Sequence, residues 1–204
     1  MNDLAKTSDL TPGVYGGGFK LWEGTFDAVL CLSKMTFEPT PQRILDLGCG
    51  SGLGGFFCLL NFQSSHVVFH DLNESVLKAA VSVNITLNLG PTGGRRSTLL
   101  FGPWEAGYAR LFQSYPFQFD LIMTTETLYE MTSHRTLHKL FCEALAPNGR
   151  IIVASKRYYF GVGGGMMSFV DLVKQLGVFT VTYLETFADG SSNLRDVVLL
   201  QRII

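Results

Sequence analysis

Residues 43–55, with the sequence RILDLGCGSGLGG, predict the fold of this chain. The short apolar run at 44–47 is typical of a parallel strand that is buried on both faces. Glycines at alternate positions within 48–52 lead into the apolar stretch 53–60, which predicts a helix. Glycine permits a sharp turn and lets a ligand lie against bare peptide at the N-terminus of the helix. We therefore expect a cofactor at this turn.

The next predicted strand, 66–70, leads directly into Asp71. A carboxylate at the end of the second strand of such a unit can hold both hydroxyls of a ribose. The competing interpretation is structural, because glycines also serve tight strand-to-helix turns and acidic residues also cap helices. The glycine turn and Asp71 reinforce each other, and together they favour a nucleotide-type cofactor.

Strands and helices alternate along the rest of the chain, which predicts an α/β fold with helices on both faces of a mostly parallel sheet. The turn-rich stretches 90–96 and 188–193 separate such elements, and the second is short enough to make the last two strands an antiparallel hairpin. The further strands are expected at 97–101, 119–123, 150–155, 178–184 and 196–204, and the further helices at 25–37, 73–86, 133–145 and 166–176.

Length and composition fit one domain. The chain has 204 residues, of which 47% are hydrophobic and 16% charged. Sixteen basic and seventeen acidic residues give no overall basic field, so no direct nucleic-acid binding is expected. No apolar run approaches the roughly 20 residues of a membrane span. We expect a flexible segment at 1–18 and a single domain at 19–204.

The four cysteines have no paired spacing, and the first residues lack the pattern of a signal peptide. Both observations favour a reducing intracellular compartment. His134 and His138 lie four residues apart on a predicted helix, but no third ligand accompanies them. We therefore expect a solvated pair and no metal site.

Seven strands with a terminal hairpin, a glycine turn after the first and an acidic end to the second resemble the Rossmann-like methyltransferases that use S-adenosylmethionine. Four stretches are more specific and are similar, in order, to the protein-histidine N-methyltransferases, which modify a histidine of a large-subunit ribosomal protein. These stretches are VYGGGFKLWEGTFD (14–27), ILDLGCGSGLGG (44–55), TTETLY (124–129) and ASKRYYFGVGGG (154–165).

The resemblance implies a cofactor, a partner and a set of site residues. The cofactor would be S-adenosyl-L-methionine, with S-adenosyl-L-homocysteine as product, and the partner a large-subunit ribosomal protein. A monomer in the cytoplasm and nucleus is expected. The implied cofactor contacts are Leu21, Trp22, Glu23, Gly24, Thr25, Asp46, Gly48, Asp71, Leu72, Asn73, Gly102, Pro103, Trp104 and Thr125.

Glu126 and Tyr129, at the end of the fourth predicted strand, are the candidate catalytic residues. Their Glu-x-x-Tyr spacing also resembles a short motif of the wider group that methylates lysines and other protein side chains. Methyl transfer mainly requires that a nucleophile be aligned with the methyl group and that water be excluded. A histidine substrate is largely neutral near pH 7, so one ring nitrogen offers a lone pair while the other is held as N–H. Glu126 and Tyr129 are the favoured partners for that hydrogen bond, and Tyr158, Tyr159 or a carbonyl of the loop 161–165 are the alternatives.

Three alternatives remain at the level of the sequence. A protein-lysine methyltransferase would share the fold, and a methyltransferase-like adaptor would keep the cofactor site without turnover. A nicotinamide dehydrogenase also fits, because Gly50, Gly52 and Gly55 match G-x-G-x-x-G and are followed by Asp71. The terminal hairpin and the absence of a Tyr-x-x-x-Lys pair argue against the dehydrogenase.

Overall fold

The computed structural model describes residues 17–104, 118–188, 190 and 194–203. A seven-stranded sheet forms its centre. The strands are β1 Arg43–Leu47, β2 His66–Asp71, β3 Ser97–Phe101, β4 Phe119–Thr125, β5 Leu145–Lys156, β6 Phe179–Phe187 and β7 Arg195–Arg202. The predicted flexible segment 1–18 lies outside the described residues except for its last two positions, and so do most residues of the predicted turn 188–193.

The strands lie side by side in the order β3-β2-β1-β4-β5-β7-β6. β1 to β5 are parallel, whereas β7 is antiparallel to both β5 and β6. The predicted mostly parallel, Rossmann-like sheet with a C-terminal antiparallel hairpin is confirmed. The last strand is inserted between the fifth and the sixth, rather than added at the edge of the sheet.

The strand register brings the carboxyl ends of the central strands together. Leu47 of β1 lies opposite His70 of β2 on one side and Thr124 of β4 on the other. Thr125 in turn pairs with Ala154 of β5. The strand order reverses at β1, and open α/β sheets bind ligands in the crevice at such a point. The glycine turn and the fourth strand therefore meet at the same edge.

Helices cover both faces of the sheet, as predicted. Those before β3 pack over one apolar core, and the two after β4 pack over the other. They are α1 Glu23–Ser33, α2 Leu53–Asn61, α3 Glu74–Val76, α4 Ser82–Arg95, α5 Met131–Ala144 and α6 Met166–Leu176, with a π-helical segment, Leu77–Val81, joining α3 to α4. Among the residues described, no helix is long and apolar enough to cross a membrane.

The glycine at the helical end of the turn between β1 and α2 is required by close packing. A Cβ on Gly55 would lie 2.2 Å from the ring of Phe69, so only glycine lets α2 pack this closely on β2. The buried Asp46 carboxylate accepts a hydrogen bond of 2.7 Å from the Gly55 N–H. Asp46 thereby satisfies a backbone donor at the N-terminus of α2, which otherwise has no partner in the helix.

Two local predictions were wrong, the first only in part. The stretch 90–96 was expected to be a turn-rich break; the helix does break at Gly90, whose φ is 55° and ψ −153°, but residues 91–95 are helical again. Pro91 lies directly after the kink, at the first position of the renewed helix. A proline there costs no hydrogen bond, because the N–H at this position would have no partner within the helix. His134 and His138 were expected to be solvated, but both are buried against aromatic rings of Phe169 and Phe179.

Candidate functional site

A pocket of about 290 Å³ lies at the carboxyl ends of β1, β2 and β4. Most of the predicted site residues line this pocket. They are Trp22, Thr25, Gly48, Asp71, Leu72, Gly102, Pro103, Trp104, Thr125, Glu126 and Tyr129. The structure therefore brings together residues from five separate stretches of the sequence.

The glycine turn and Asp71 form one side of the pocket. Gly48, Gly50 and Gly52 all have positive φ, at 66°, 52° and 80°. The Asp71 carboxylate accepts hydrogen bonds from the backbone N–H of Gly50 at 2.9 Å and of Asn73 at 3.0 Å. Burial raises the pKa of Asp71, while these backbone donors oppose the rise. Backbone groups therefore hold this carboxylate in place beside the glycine turn.

The entry segment, residues 17–22, lies across the pocket. A Cβ on Gly18 would lie 2.9 Å from Val76 and 3.4 Å from the Asp71 carboxylate, so this residue fits tightly beside the turn. The Trp22 indole N–H donates to the Gly17 carbonyl at 3.2 Å. The Lys20 ammonium lies 4.3 Å from the centre of the Trp22 ring. The segment thus covers the turn and adds an aromatic wall.

Glu126 forms the opposite side of the pocket. It is the one residue other than glycine with positive φ (56°) within the described ranges, and it is 8% exposed. Its N–H donates to the Ala154 carbonyl at 2.9 Å, and its Oε2 accepts a hydrogen bond from the Tyr159 hydroxyl. Burial raises the pKa of Glu126, and this hydroxyl opposes the rise. Such a backbone conformation is costly and is typical of functional sites.

The second carboxylate oxygen of Glu126 can accept a further hydrogen bond. Oε1 is buried and has no hydrogen-bond partner within the described part of the chain. It lies against Gly24, where a Cβ would come within 2.4 Å of it. An unsatisfied buried carboxylate oxygen costs free energy. A bound N–H or ammonium donor would satisfy it.

Tyr129 and Tyr159 lie side by side in the wall next to Glu126, with ring centroids 6.4 Å apart. Burial, and then the charges of Glu130 and Asp71, raise the pKa of Tyr129, so its hydroxyl keeps its proton at neutral pH. Burial and the Glu126 charge raise the pKa of Tyr159 as well. Ser155 Oγ lies 3.1 Å from the Tyr159 hydroxyl and completes a short polar chain.

Five predicted cofactor contacts do not line the pocket: Leu21, Glu23, Gly24, Asp46 and Asn73. Leu21 is 52% exposed, and Glu23 is exposed in the first turn of α1. Gly24 adjoins Glu126, Asp46 faces Gly55 behind the turn, and the Asn73 N–H supports Asp71. Their contacts with a cofactor stay predictions.

Sequence reasoning missed nearly half of the lining. Cys49, Gly50 and Ser51 belong to the turn already singled out, and Thr127 to the TTETLY stretch, so their position follows from their neighbours. Tyr159 was an alternative candidate for holding the substrate imidazole, but its contact with Glu126 was not predicted, because 33 residues separate the two. The lining residues outside the predicted set are Gly17, Gly18, Lys20, Cys49, Gly50, Ser51, Thr127, Glu130, Ser133 and Tyr159.

The residues of the pocket fit S-adenosylmethionine. A Cβ on Gly50 would lie 3.1 Å from the Gly18 carbonyl, so bare backbone lines the gap between the turn and the entry segment. Asp71 supplies carboxylate oxygens for hydroxyl groups. Trp22 and Trp104 line the pocket, and aromatic rings attract a sulfonium cation. When bound, this cofactor supplies an activated methyl group.

No group of three histidine, cysteine, aspartate or glutamate side chains that could hold a metal occurs in the ranges described. The His134 ring nitrogen Nε2 lies 3.0 Å from the Leu128 carbonyl. His138 Nδ1 lies 3.6 Å from the Cys142 sulfur. Burial lowers the pKa of both histidines, so each packs as a neutral ring in the core.

Solved structures identify the class of fold. An arsenic(III) S-adenosylmethionine methyltransferase from Chlamydomonas reinhardtii matches with a TM-score of 0.62 and 17% identity, over 91% of this chain and 75% of that one. Mitomycin 7-O-methyltransferase matches with a TM-score of 0.60 and 16% identity, over 88% of this chain and 54% of that one. The protein has the Rossmann-like fold of the methyltransferases.

Sequence comparison identifies the family. The model of the lysine methyltransferase family matches residues 11–163, and the chain belongs to that family. A histidine protein methyltransferase 1 homolog from Dictyostelium discoideum is 39% identical over 96% of this chain and 61% of its own length. A relative of the same description from Rattus norvegicus is 36% identical over 90% of this chain and 56% of its own length.

The resemblance to protein-histidine methyltransferases is thus confirmed, and the methyltransferase interpretation is favoured over the dehydrogenase. The chain spans only about 56–61% of the length of these two relatives.

Proposed function

We propose that the protein transfers a methyl group from S-adenosylmethionine to an imidazole nitrogen of a histidine in a large-subunit ribosomal protein. The observation that carries this proposal is the buried Glu126 carboxylate, which lines the same pocket as the glycine turn. One of its oxygens has no hydrogen-bond partner among the residues that the structure describes. The names of the relatives support a histidine as the target.

The turn side of the pocket would bind and orient the cofactor. Asp71 is held by two backbone donors and would accept hydrogen bonds from the ribose hydroxyls. Thr25 and Thr125, whose hydroxyl oxygens are 2.9 Å apart, join α1 to the end of β4 and would close the site beside the reacting methyl group. Excluding water and fixing the approach of the nucleophile can lower the barrier by roughly 7–11 kcal/mol.

The Glu126 side would orient the imidazole. Oε1 of the carboxylate would accept the N–H of the ring nitrogen that does not react, which leaves the lone pair of the other nitrogen facing the methyl group. As the new N–C bond forms, the ring becomes cationic, and the nearby carboxylate stabilises that charge. The proton on the other nitrogen then passes to solvent or to Glu126, whose pKa is raised by burial.

Transfer of labelled methyl tests this proposal directly. The protein is incubated with labelled S-adenosylmethionine and a lysate that lacks the activity, and the labelled side chain is mapped by mass spectrometry. A single labelled histidine on a ribosomal protein supports the proposal. Glu126→Gln keeps the shape of the side chain but removes its charge, so we expect about tenfold slower labelling and unchanged S-adenosylhomocysteine binding.

Lysine methylation is the second candidate, because the family model describes lysine methyltransferases. A carboxylate at Glu126 would also attract an ammonium group, which must then lose a proton before it reacts. A labelled lysine in the same experiment would replace the histidine proposal. Tight binding of S-adenosylhomocysteine without any label would instead support the non-catalytic adaptor.

The surroundings of the reaction follow from the proposed substrate. A ribosomal protein is available in both the cytoplasm, where it is synthesised, and the nucleus, where it is assembled. We propose that the protein works as a monomer in these compartments. Its acidic and basic residues are nearly balanced, and we propose that it recognises the protein substrate without direct contact to nucleic acid.

A further inference from the structure

The segment that follows β5, residues 157–165, carries apolar side chains to the surface beside the pocket. Tyr158, Phe160 and Val162 are 52%, 77% and 48% exposed. The rings of Tyr158 and Phe160 lie near each other, with centroids 6.5 Å apart. Exposed apolar clusters are uncommon on monomeric proteins and mark sites of interaction. We call this segment the aromatic loop.

The aromatic loop is continuous with the pocket. Tyr159 lies between two of its exposed residues, yet it points inward, lines the pocket and donates to Glu126. The loop also rests on the other candidate catalytic residue, because the Gly164 N–H donates to the Tyr129 carbonyl at 3.1 Å. The outer surface of the loop and the wall of the pocket are therefore two sides of the same short stretch of chain.

The loop is already ordered by its own hydrogen bonds. The Tyr159 N–H donates to the Gly164 carbonyl at 3.0 Å, and the Gly163 N–H donates back to the Tyr159 carbonyl at 3.0 Å. A Cβ on Gly164 would lie 2.1 Å from the Leu128 carbonyl, so glycine is required for this close contact. Binding on this surface would cost little conformational entropy.

We propose that the aromatic loop is the docking surface for the polypeptide that flanks the methylated side chain, and that it takes apolar residues near the target in sequence. This inference rests on the proposed function, in which a protein side chain enters the pocket. The backbone that carries such a side chain must cross the mouth of the pocket. An extended chain advances about 3.3–3.6 Å per residue, so positions within about three residues of the target reach the loop.

The test uses fluorescent heptapeptides with histidine at the centre and leucine or phenylalanine at each flanking position in turn, in a background of glycine and serine. Binding is measured by anisotropy in the presence of S-adenosylhomocysteine, so it does not depend on turnover. We expect the best apolar peptide to bind about tenfold more tightly than the all-polar one. Phe160→Ser and Val162→Ser should remove that preference without changing the affinity for S-adenosylhomocysteine.

Leu87→Ser is the matched control, because Leu87 is 76% exposed and does not line the pocket. The preference must survive in this variant. Equal binding of apolar and polar peptides to the unmodified protein, or an unchanged preference in Phe160→Ser and Val162→Ser, would overturn the docking surface. Peptides with lysine at the centre separate the two proposals: if they bind better and keep the flanking preference, the histidine target fails while the docking surface stands.

Discussion

The two sides of the pocket are built in different ways. On the turn side, the backbone N–H groups of Gly50 and Asn73 hold Asp71, and they come from the chain immediately around β1 and β2. On the other side, Glu126 is held by the side chain of Tyr159 and by close contact with Gly24, residues that are far apart in the sequence. A backbone-built site depends on few side chains, whereas a side-chain network couples every member to the others.

The two buried carboxylates show the same contrast. Burial raises the pKa of both Asp71 and Glu126. Backbone donors at Asn73, Gly50 and Leu72 oppose the rise at Asp71, but at Glu126 the largest opposing contribution is the single hydroxyl of Tyr159. The protonation state of Glu126 is therefore more sensitive to one substitution.

The largest expected effect is on the turn side. Asp71→Ala removes a carboxylate that two backbone donors hold, and we expect S-adenosylhomocysteine binding to weaken by about 100-fold, or about 2.8 kcal/mol. Titration calorimetry measures the affinity. Asp171→Ala, an exposed aspartate that does not line the pocket, is the control. Unchanged affinity in Asp71→Ala would show that this side does not bind the ribose.

The second effect tests the coupling on the Glu126 side. Tyr159→Phe removes the hydroxyl that stabilises the Glu126 carboxylate, so its pKa should rise further. We expect kcat to fall by about 30-fold and the acidic limb of the pH–rate profile to move to higher pH, because the protonated carboxyl no longer accepts the imidazole N–H. S-adenosylhomocysteine affinity should change by less than about threefold.

Tyr183→Phe, on the exposed surface of β6, is the control for that variant. A fall in kcat without any shift of the pH profile would mean that Tyr159 supports packing only. The two sides of the pocket would then differ less than proposed.

Tyr129→Phe should have a smaller effect. Its hydroxyl keeps its proton at neutral pH and lies in the wall beside Glu126. Loss of one hydrogen bond to the substrate is expected to slow transfer by about tenfold and to leave cofactor affinity unchanged. Single-turnover kinetics separate transfer from binding. Full activity in this variant would remove Tyr129 from the candidate catalytic residues.

The smallest effect on activity is expected at Asp46, behind the turn. Burial raises its pKa to about 7. The folded protein therefore holds this proton more tightly than the unfolded chain, and the stability that results is lost as the pH rises from about 4 to about 7. Asp46→Asn keeps an acceptor for the Gly55 N–H but cannot ionise, so the free energy of unfolding should fall less between about pH 5 and about pH 8.

Urea denaturation at several pH values measures this difference. Asp120→Asn serves as the control, because Asp120 lies on the same sheet and its carboxylate makes exposed hydrogen bonds to the N–H groups of Gln42 and Arg43. An equal pH dependence in Asp46→Asn and the unmodified protein would mean that Asp46 is ionised throughout. The same variant should retain transfer within about twofold.

The contrast between the two sides also explains how much the sequence could predict. The strand, the glycine turn and Asp71 are local, and their pattern predicted the turn side of the pocket together with the order of most elements. Tyr159 could not be assigned to Glu126, because the contact depends on the parallel pairing of β4 and β5. The helical continuation after Gly90 was missed because Pro91 is also typical of a turn.

The docking of β4 beside β1 has a consequence for how the chain folds. The Thr124 hydroxyl donates to the Leu47 carbonyl, 77 residues away, so this central pairing must close a long loop. Such non-local contacts slow folding. The two sides of the pocket meet where β4 pairs with β1. A ligand that contacts both sides therefore links them in the native state and stabilises that state. At a concentration 100 times its Kd, it would add about 2.7 kcal/mol to the free energy of unfolding.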